Sequence, residues 1–62
     1  MKVSEAIKLV EKDGWYIVRI RGSHRHFKHP LKKGIVTIAG KPSIDLAEGT
    51  TRSILKQAGL KK

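Results

Sequence analysis

Sixty-two residues leave room for one domain spanning 1–62 with a thin core, and the absence of cysteine excludes disulfides and thiolate metal sites as reinforcement. Fourteen Lys and Arg against five Asp and Glu give a formal net charge of +9 at pH 7, so a polyanion is the first partner to consider: nucleic acid, an anionic membrane or an acidic protein. No apolar run approaches the roughly 18 residues of a spanning helix, and no apolar stretch follows Met1-Lys2 as a secretory signal requires, so the chain reads as soluble and cytoplasmic.

Along 3–10, Val3, Ala6, Ile7 and Val10 recur at helical spacing. Ser4 is the expected N-cap, Glu5 sets an anion in the first turn, and Asp13-Gly14 closes the helix. Residues 15–21 read as a strand with Tyr16, Val18 and Ile20 on one side and Trp15, Ile17, Arg19 and Arg21 on the other. After a turn at Arg21-Gly22-Ser23, residues 24–29 form a second strand. It has His24, His26 and Lys28 on one face and Arg25, Phe27 and His29 on the other. Pro30 and residues 31–34 make the next turn, and the β-branched run 35–38 is a third strand. Ile44 and Leu46 lie in an irregular stretch expected to pack under the sheet edge. A threonine of Gly49-Thr50-Thr51 is the expected N-cap of a last helix, about 51–58, with Ile54, Leu55 and Ala58 on one face and Gly59 at its stop.

The order α-β-β-β-α predicts an α+β fold with two helices on one face of a three-stranded antiparallel sheet. The other face is then wet and rich in Lys, Arg and His. The arrangement resembles the double-stranded-RNA-binding domain, which reads its ligand through phosphates and 2′-hydroxyls.

All three histidines fall in 24–29, and histidine is the side chain that exchanges protons near neutral pH. Three readings stand side by side. The histidines are ordinary surface residues; or His24 and His26 bind a metal with Asp45 or Glu48 as a third ligand, against the repulsion of Arg25 and Lys28; or the site cleaves RNA without a metal. In that last chemistry the 2′-hydroxyl attacks its own phosphorus, a histidine takes its proton, and cations stabilise the charge. Arg19, Arg21, Arg25 and Lys28 are near enough in sequence to His24 to bind flanking phosphates, or they form a solvated basic face. Ser23 is read as a turn residue, because adjacent strand residues point to opposite faces. Trp15 and Phe27 are read as packing residues rather than base-stacking ones.

The stretches Gly22-Ser23-His24-Arg25-His26-Phe27, His29-Pro30, Ile35-Val36-Thr37-Ile38 and Gly49-Thr50-x-Arg52-x-Ile54-Leu55-Lys56-Gln57-Ala58-Gly59 resemble the HicA, or YcfA-like, toxin family over nearly the whole chain. The resemblance implies a double-stranded-RNA-binding-like fold, an mRNA interferase acting in a toxin-antitoxin system, and neutralisation by a HicB antitoxin. No cofactor, metal or membrane partner is expected: a metal at His24 and His26 lacks a near third ligand, and the first helix has too little apolar face to anchor. The resemblance assigns catalysis to His24, which matches the histidine of the family's Gly-Ser-His motif, and gives no such role to His26 or His29. Two positions depart from the family pattern: Arg25, where many members carry a second histidine, and Ile38-Ala39-Gly40-Lys41-Pro42, where many carry Pro-x-His. His24 is therefore expected to work alone among basic neighbours. The competing reading is a non-catalytic RNA-binding or regulatory module of the same fold, which binds in a salt-sensitive way and leaves RNA intact.

Overall fold

A computed structural model describes residues 1–60 and has the order α1 (Val3–Asp13), β1 (Tyr16–Arg21), β2 (His24–Lys28), β3 (Val36–Ala39) and α2 (Glu48–Gln57). The three strands form one antiparallel sheet in the order β1-β2-β3. Both helices pack over β3 on one face, as the chain order requires. Val3, Ala6 and Val10 of α1 meet Ile54 and Ala58 from the α2 end and Phe27, Val36 and Ile38 from the sheet, with Trp15 also buried. Trp15 and Phe27 are thus core residues, as expected.

The helix starts differ from expectation. The N-cap of α1 is Lys2, not Ser4, and the Lys2 amide donates to Glu5 Oε1 at 2.8 Å. Ser4 lies inside the helix because its amide is already served: Val3 N–H donates to Ile44 O (2.9 Å) and Ser4 N–H to Pro42 O (3.1 Å). Carbonyls of a distant segment satisfy the free amides of the first turn, the task a capping side chain usually performs. Leu46 N–H donates to Met1 O at 2.8 Å and holds that segment in place. Residues 42–46 therefore cap α1. Leu46 packs against the core, but Ile44 stays exposed, contrary to the expected burial of both, since its carbonyl rather than its side chain is used.

The second helix begins at Glu48, with Ala47 as N-cap, so Thr50 and Thr51 lie in its first turn and neither caps it. Glu48 places a carboxylate at the positive helix end and pairs with Arg52 at 3.2 Å. Gly59 (φ +70°) ends the helix as expected: its amide donates to Lys56 O, and Leu60 N–H to Leu55 O at 2.8 Å. Gly14 (φ +110°) closes α1 in the same left-handed conformation, and a Cβ there would stand 2.8 Å from His29 Nε2.

The C-terminal ends of the two helices are tied together. The Lys32 ammonium reaches Asp13 Oδ2 and Ala58 O (3.0 Å), and the Trp15 indole N–H donates to Ala58 O at 3.3 Å. A cation and an N–H thus serve a helix terminus rich in free carbonyls.

Strand β1 is left at the open edge. Tyr16, Ile17, Val18 and Ile20 are all exposed, because the helices cover β3 instead. All five acidic residues lie off the strands: Glu5, Glu11 and Asp13 on α1, Asp45 in the capping segment, and Glu48 on α2. The helices together carry no net charge, whereas the strands carry Arg19, Arg21, Arg25 and Lys28 with no acid. No helix among the described residues is long and apolar enough to cross a membrane.

Candidate nucleic-acid interface

Residues directly opposite in an antiparallel ladder project to the same face, so the register defines the surface away from the helices. Its rows are Tyr16 with Lys28, Arg19 with His26 and Thr37, and Arg21 with His24 and Ala39. Phe27 pairs with Val36 and belongs to the core face, which confirms the expected alternation along β2.

Along β1 the expected alternation fails. The register slips between Ile17 and Arg19, leaving Val18 as an extra residue in a β-bulge. Tyr16 therefore shares its face with Arg19 and Arg21, and Ile20 goes to the other side, opposite Arg25. Period-two alternation from Trp15 instead places Tyr16 with Ile20 and against the arginines.

His24 opens β2 directly after the Gly22-Ser23 turn, where Gly22 with φ of +59° permits the tight reversal. The residue is exposed, and its ring has no hydrogen-bond partner among the described residues. A rigid strand end thus presents an uncommitted imidazole beside Arg21 on a face without carboxylates.

The other two histidines are committed. His26 is half-buried, and its Nδ1 lies 3.1 Å from Thr37 Oγ1. His29 accepts at Nδ1 from the amides of Leu31 (3.0 Å) and Lys32 (3.1 Å), so its proton sits on Nε2 and is donated to Asp13 O at 2.8 Å. Its ring meets Trp15 edge-on at 5.2 Å. His29 therefore organises the β2–β3 loop and the end of α1. The Lys32 ammonium bonded to Asp13 holds that carboxyl below the usual carboxylate range.

Of the four basic residues singled out with His24, the fold brings Arg19, Arg21 and Lys28 onto one face and leaves Arg25 off it. The Arg25 guanidinium donates to Gly40 O (2.8 Å) and Ser23 O (3.4 Å), bridging the turn before β2 to the exit of β3. Two residues of the face escaped the sequence reading. The bulge hides Tyr16 from a period-two pattern, and the sequence marks Thr37 only as a β-former. A shallow depression of about 430 Å³ beside the row of His26 is lined by Val18, Arg19, His26, Lys28 and Ile35. The described residues bring together no group of three or more His, Cys, Asp or Glu side chains able to hold a metal ion.

A family model described as HicA toxin of bacterial toxin-antitoxin matches residues 3–60. A comparison with curated proteins finds no match.

Proposed function

The chain belongs to the HicA toxin family of bacterial toxin-antitoxin systems, and from that premise we propose that it is an endoribonuclease that cleaves mRNA with His24 as its catalytic residue, needs no metal, and is neutralised by a HicB-type antitoxin. The observation that carries this reading is the pairing of Arg21 with an uncommitted, exposed His24 on a sheet face without acids.

RNA brings its own nucleophile. In the proposed step His24 takes the proton of a 2′-hydroxyl, the 2′-oxygen bonds to the adjacent phosphorus, and the bond from phosphorus to the 5′-oxygen breaks. The products are a 2′,3′-cyclic phosphate and a 5′-hydroxyl, whose proton comes from the imidazolium or from water. Arg21 beside His24 stabilises the charge that builds on the phosphoryl oxygens, while Arg19 and Lys28 hold neighbouring phosphates. Arg25, fixed to backbone carbonyls, serves by bracing the hairpin end that carries His24. An acidic antitoxin surface fits the same face and competes with RNA for it.

The test incubates the purified chain and its His24→Ala variant with RNA, with and without EDTA, and follows growth after induction of each in a bacterial host. Cleavage and growth arrest by the parent, their loss in His24→Ala, and indifference to EDTA are expected. Equal cleavage by both proteins removes His24 from catalysis, and cleavage abolished by EDTA overturns the metal-free route. Intact RNA that is nevertheless bound in a salt-sensitive manner establishes the non-catalytic binding module instead.

A further inference from the structure

The depression on the strand face is not needed for proton transfer at His24, and a surface that only tracks phosphates has no use for its apolar walls. We infer that it seats one nucleobase of the bound RNA, next to the phosphate cleaved at His24, and that it prefers guanine; the inference rests on the RNA-cleaving reading above. Val18 and Ile35 leave about half their surface exposed (47% and 49%) and belong to neither helix nor core, yet both line this one site with Arg19, Lys28 and His26. A flat base needs that combination: apolar side chains against its faces and polar groups at its edge.

The bulge supplies the second argument. One extra residue lets Val18 and Arg19 both line the depression, where a regular strand would turn one of them away. His26 supplies the third. Its Nδ1 is held by Thr37 Oγ1, which fixes the ring and leaves Nε2 as the nitrogen without a partner among the described residues. The volume of about 430 Å³ falls at the lower end of small-ligand sites and suits one base. His26 lies two strand positions from His24, about 7 Å away, so a base seated here belongs to a nucleotide adjoining the scissile phosphate.

The chemistry of the rim selects the base. Arg19 and Lys28 offer hydrogen-bond donors only. Guanine presents two adjacent acceptors, O6 and N7, along one edge, whereas uracil presents the single acceptor O4 there and adenine replaces O6 with an amino donor that these side chains cannot meet.

The experiment uses the full chain carrying His24→Ala, so that RNA is bound and not cut. Short single-stranded RNAs that differ at one position (guanine, adenine, uracil or an abasic site) are titrated by fluorescence anisotropy at several salt concentrations. Guanine is expected to bind roughly tenfold or more tighter than adenine or the abasic site. Thr37→Val and Ile35→Ser, each added to His24→Ala, are expected to flatten that preference while keeping the salt dependence. In the active parent, mapped cleavage sites cluster beside guanine and spread out in Thr37→Val. Salt-dependent binding that is indifferent to the base, or a preference that both variants leave intact, overturns the nucleobase seat and leaves the RNA reading standing. Absence of salt-dependent RNA binding overturns both.

Discussion

Arg19 stands directly opposite His26 across the first two strands because Val18, just before it, is the extra residue of a β-bulge. Counting on from the Tyr16–Lys28 pair without the bulge would set Val18 against His26, Arg19 against Arg25, and Ile20 against His24. That ladder would oppose two like charges and put an aliphatic side chain beside the exposed histidine. One extra residue removes the Arg–Arg clash and sends both arginines to the face that carries His24.

Three cations on that face fix the expected salt response. If Arg19, Arg21 and Lys28 each displace a counterion from single-stranded RNA, log K should fall against log salt with a slope of roughly −2. Alanine at any of them should reduce the slope by about 0.7; at Arg21 it should weaken binding of all sequences alike, and at Arg19 or Lys28, which also line the base seat, it should weaken guanine-containing RNA most. Arg25→Gln should leave the slope unchanged and instead lower stability by roughly 1 kcal/mol, since it loses hydrogen bonds to Gly40 O and Ser23 O. Titrations of His24→Ala protein at several salt concentrations check this; a slope cut by Arg25→Gln alone would put the phosphates elsewhere.

The histidines should separate stability from activity. His24→Ala removes an exposed ring with no partner, so its unfolding free energy should stay within about 0.5 kcal/mol of the parent. His29→Ala strands the Leu31 and Lys32 amides and the Asp13 carbonyl and opens space beside Trp15, for a loss of roughly 2–3 kcal/mol. Urea unfolding of the two variants decides it, and equal losses would contradict the structural role of His29.

Acid should weaken the junction of the two helix ends. The Asp13 carboxyl titrates below its ordinary value of 3.8, chiefly because Lys32 is bonded to it. A carboxyl depressed in the folded state stabilises the fold above its unfolded pKa, and that contribution disappears as pH falls through the lower folded value. Thermal midpoints measured from pH 5 to pH 2 should therefore drop below about pH 4, and less steeply in Lys32→Met than in the parent. Parallel curves for the two proteins would mean that other groups govern acid unfolding.

A thin core leaves little reserve. Phe27 is 1% exposed, between Val36 and the helices, and Phe→Ala at such a site costs about 3–5 kcal/mol. Domains of this length have roughly 3–9 kcal/mol in all. Phe27→Ala should thus be largely unfolded at 37 °C by circular dichroism, and a cooperative transition near that of the parent would show a core less dependent on this ring.

Much of this was legible in the sequence, and what was not has definite causes. The apolar spacing of Val3, Ala6 and Val10, the β-branched run ending at Ile38 and the stop glycines Gly14 and Gly59 mark elements through local chemistry, and the elements lie where those signals put them. Both helix caps differ from the sequence expectation. Ser4 and the threonines looked like caps, yet the amides of α1 are satisfied by Pro42 and Ile44 carbonyls some forty residues away, which no local pattern discloses. The bulge at Val18 was invisible for a related reason. It exists only in the register against β2, so alternation counted along one strand assigns Tyr16, Arg19 and Arg21 to the wrong neighbours. His24 stood out through its motif. Nothing local showed that His29, five residues on, is bound into the loop, or that Thr37 holds His26.

The placement of every carboxylate off the strands has a kinetic consequence. With cations on both sides of the sheet but acids confined to one, the strand side is the more positive, and the molecule turns in the field of a polyanion before contact. If RNA and an acidic antitoxin are its partners, as proposed above, both are drawn in along the same axis. Capture by either should be fast at low ionic strength and slow steeply as salt shortens the reach of the field to about 10 Å at 0.1 M, so that arrival order, as well as affinity, decides which anion occupies the strands first.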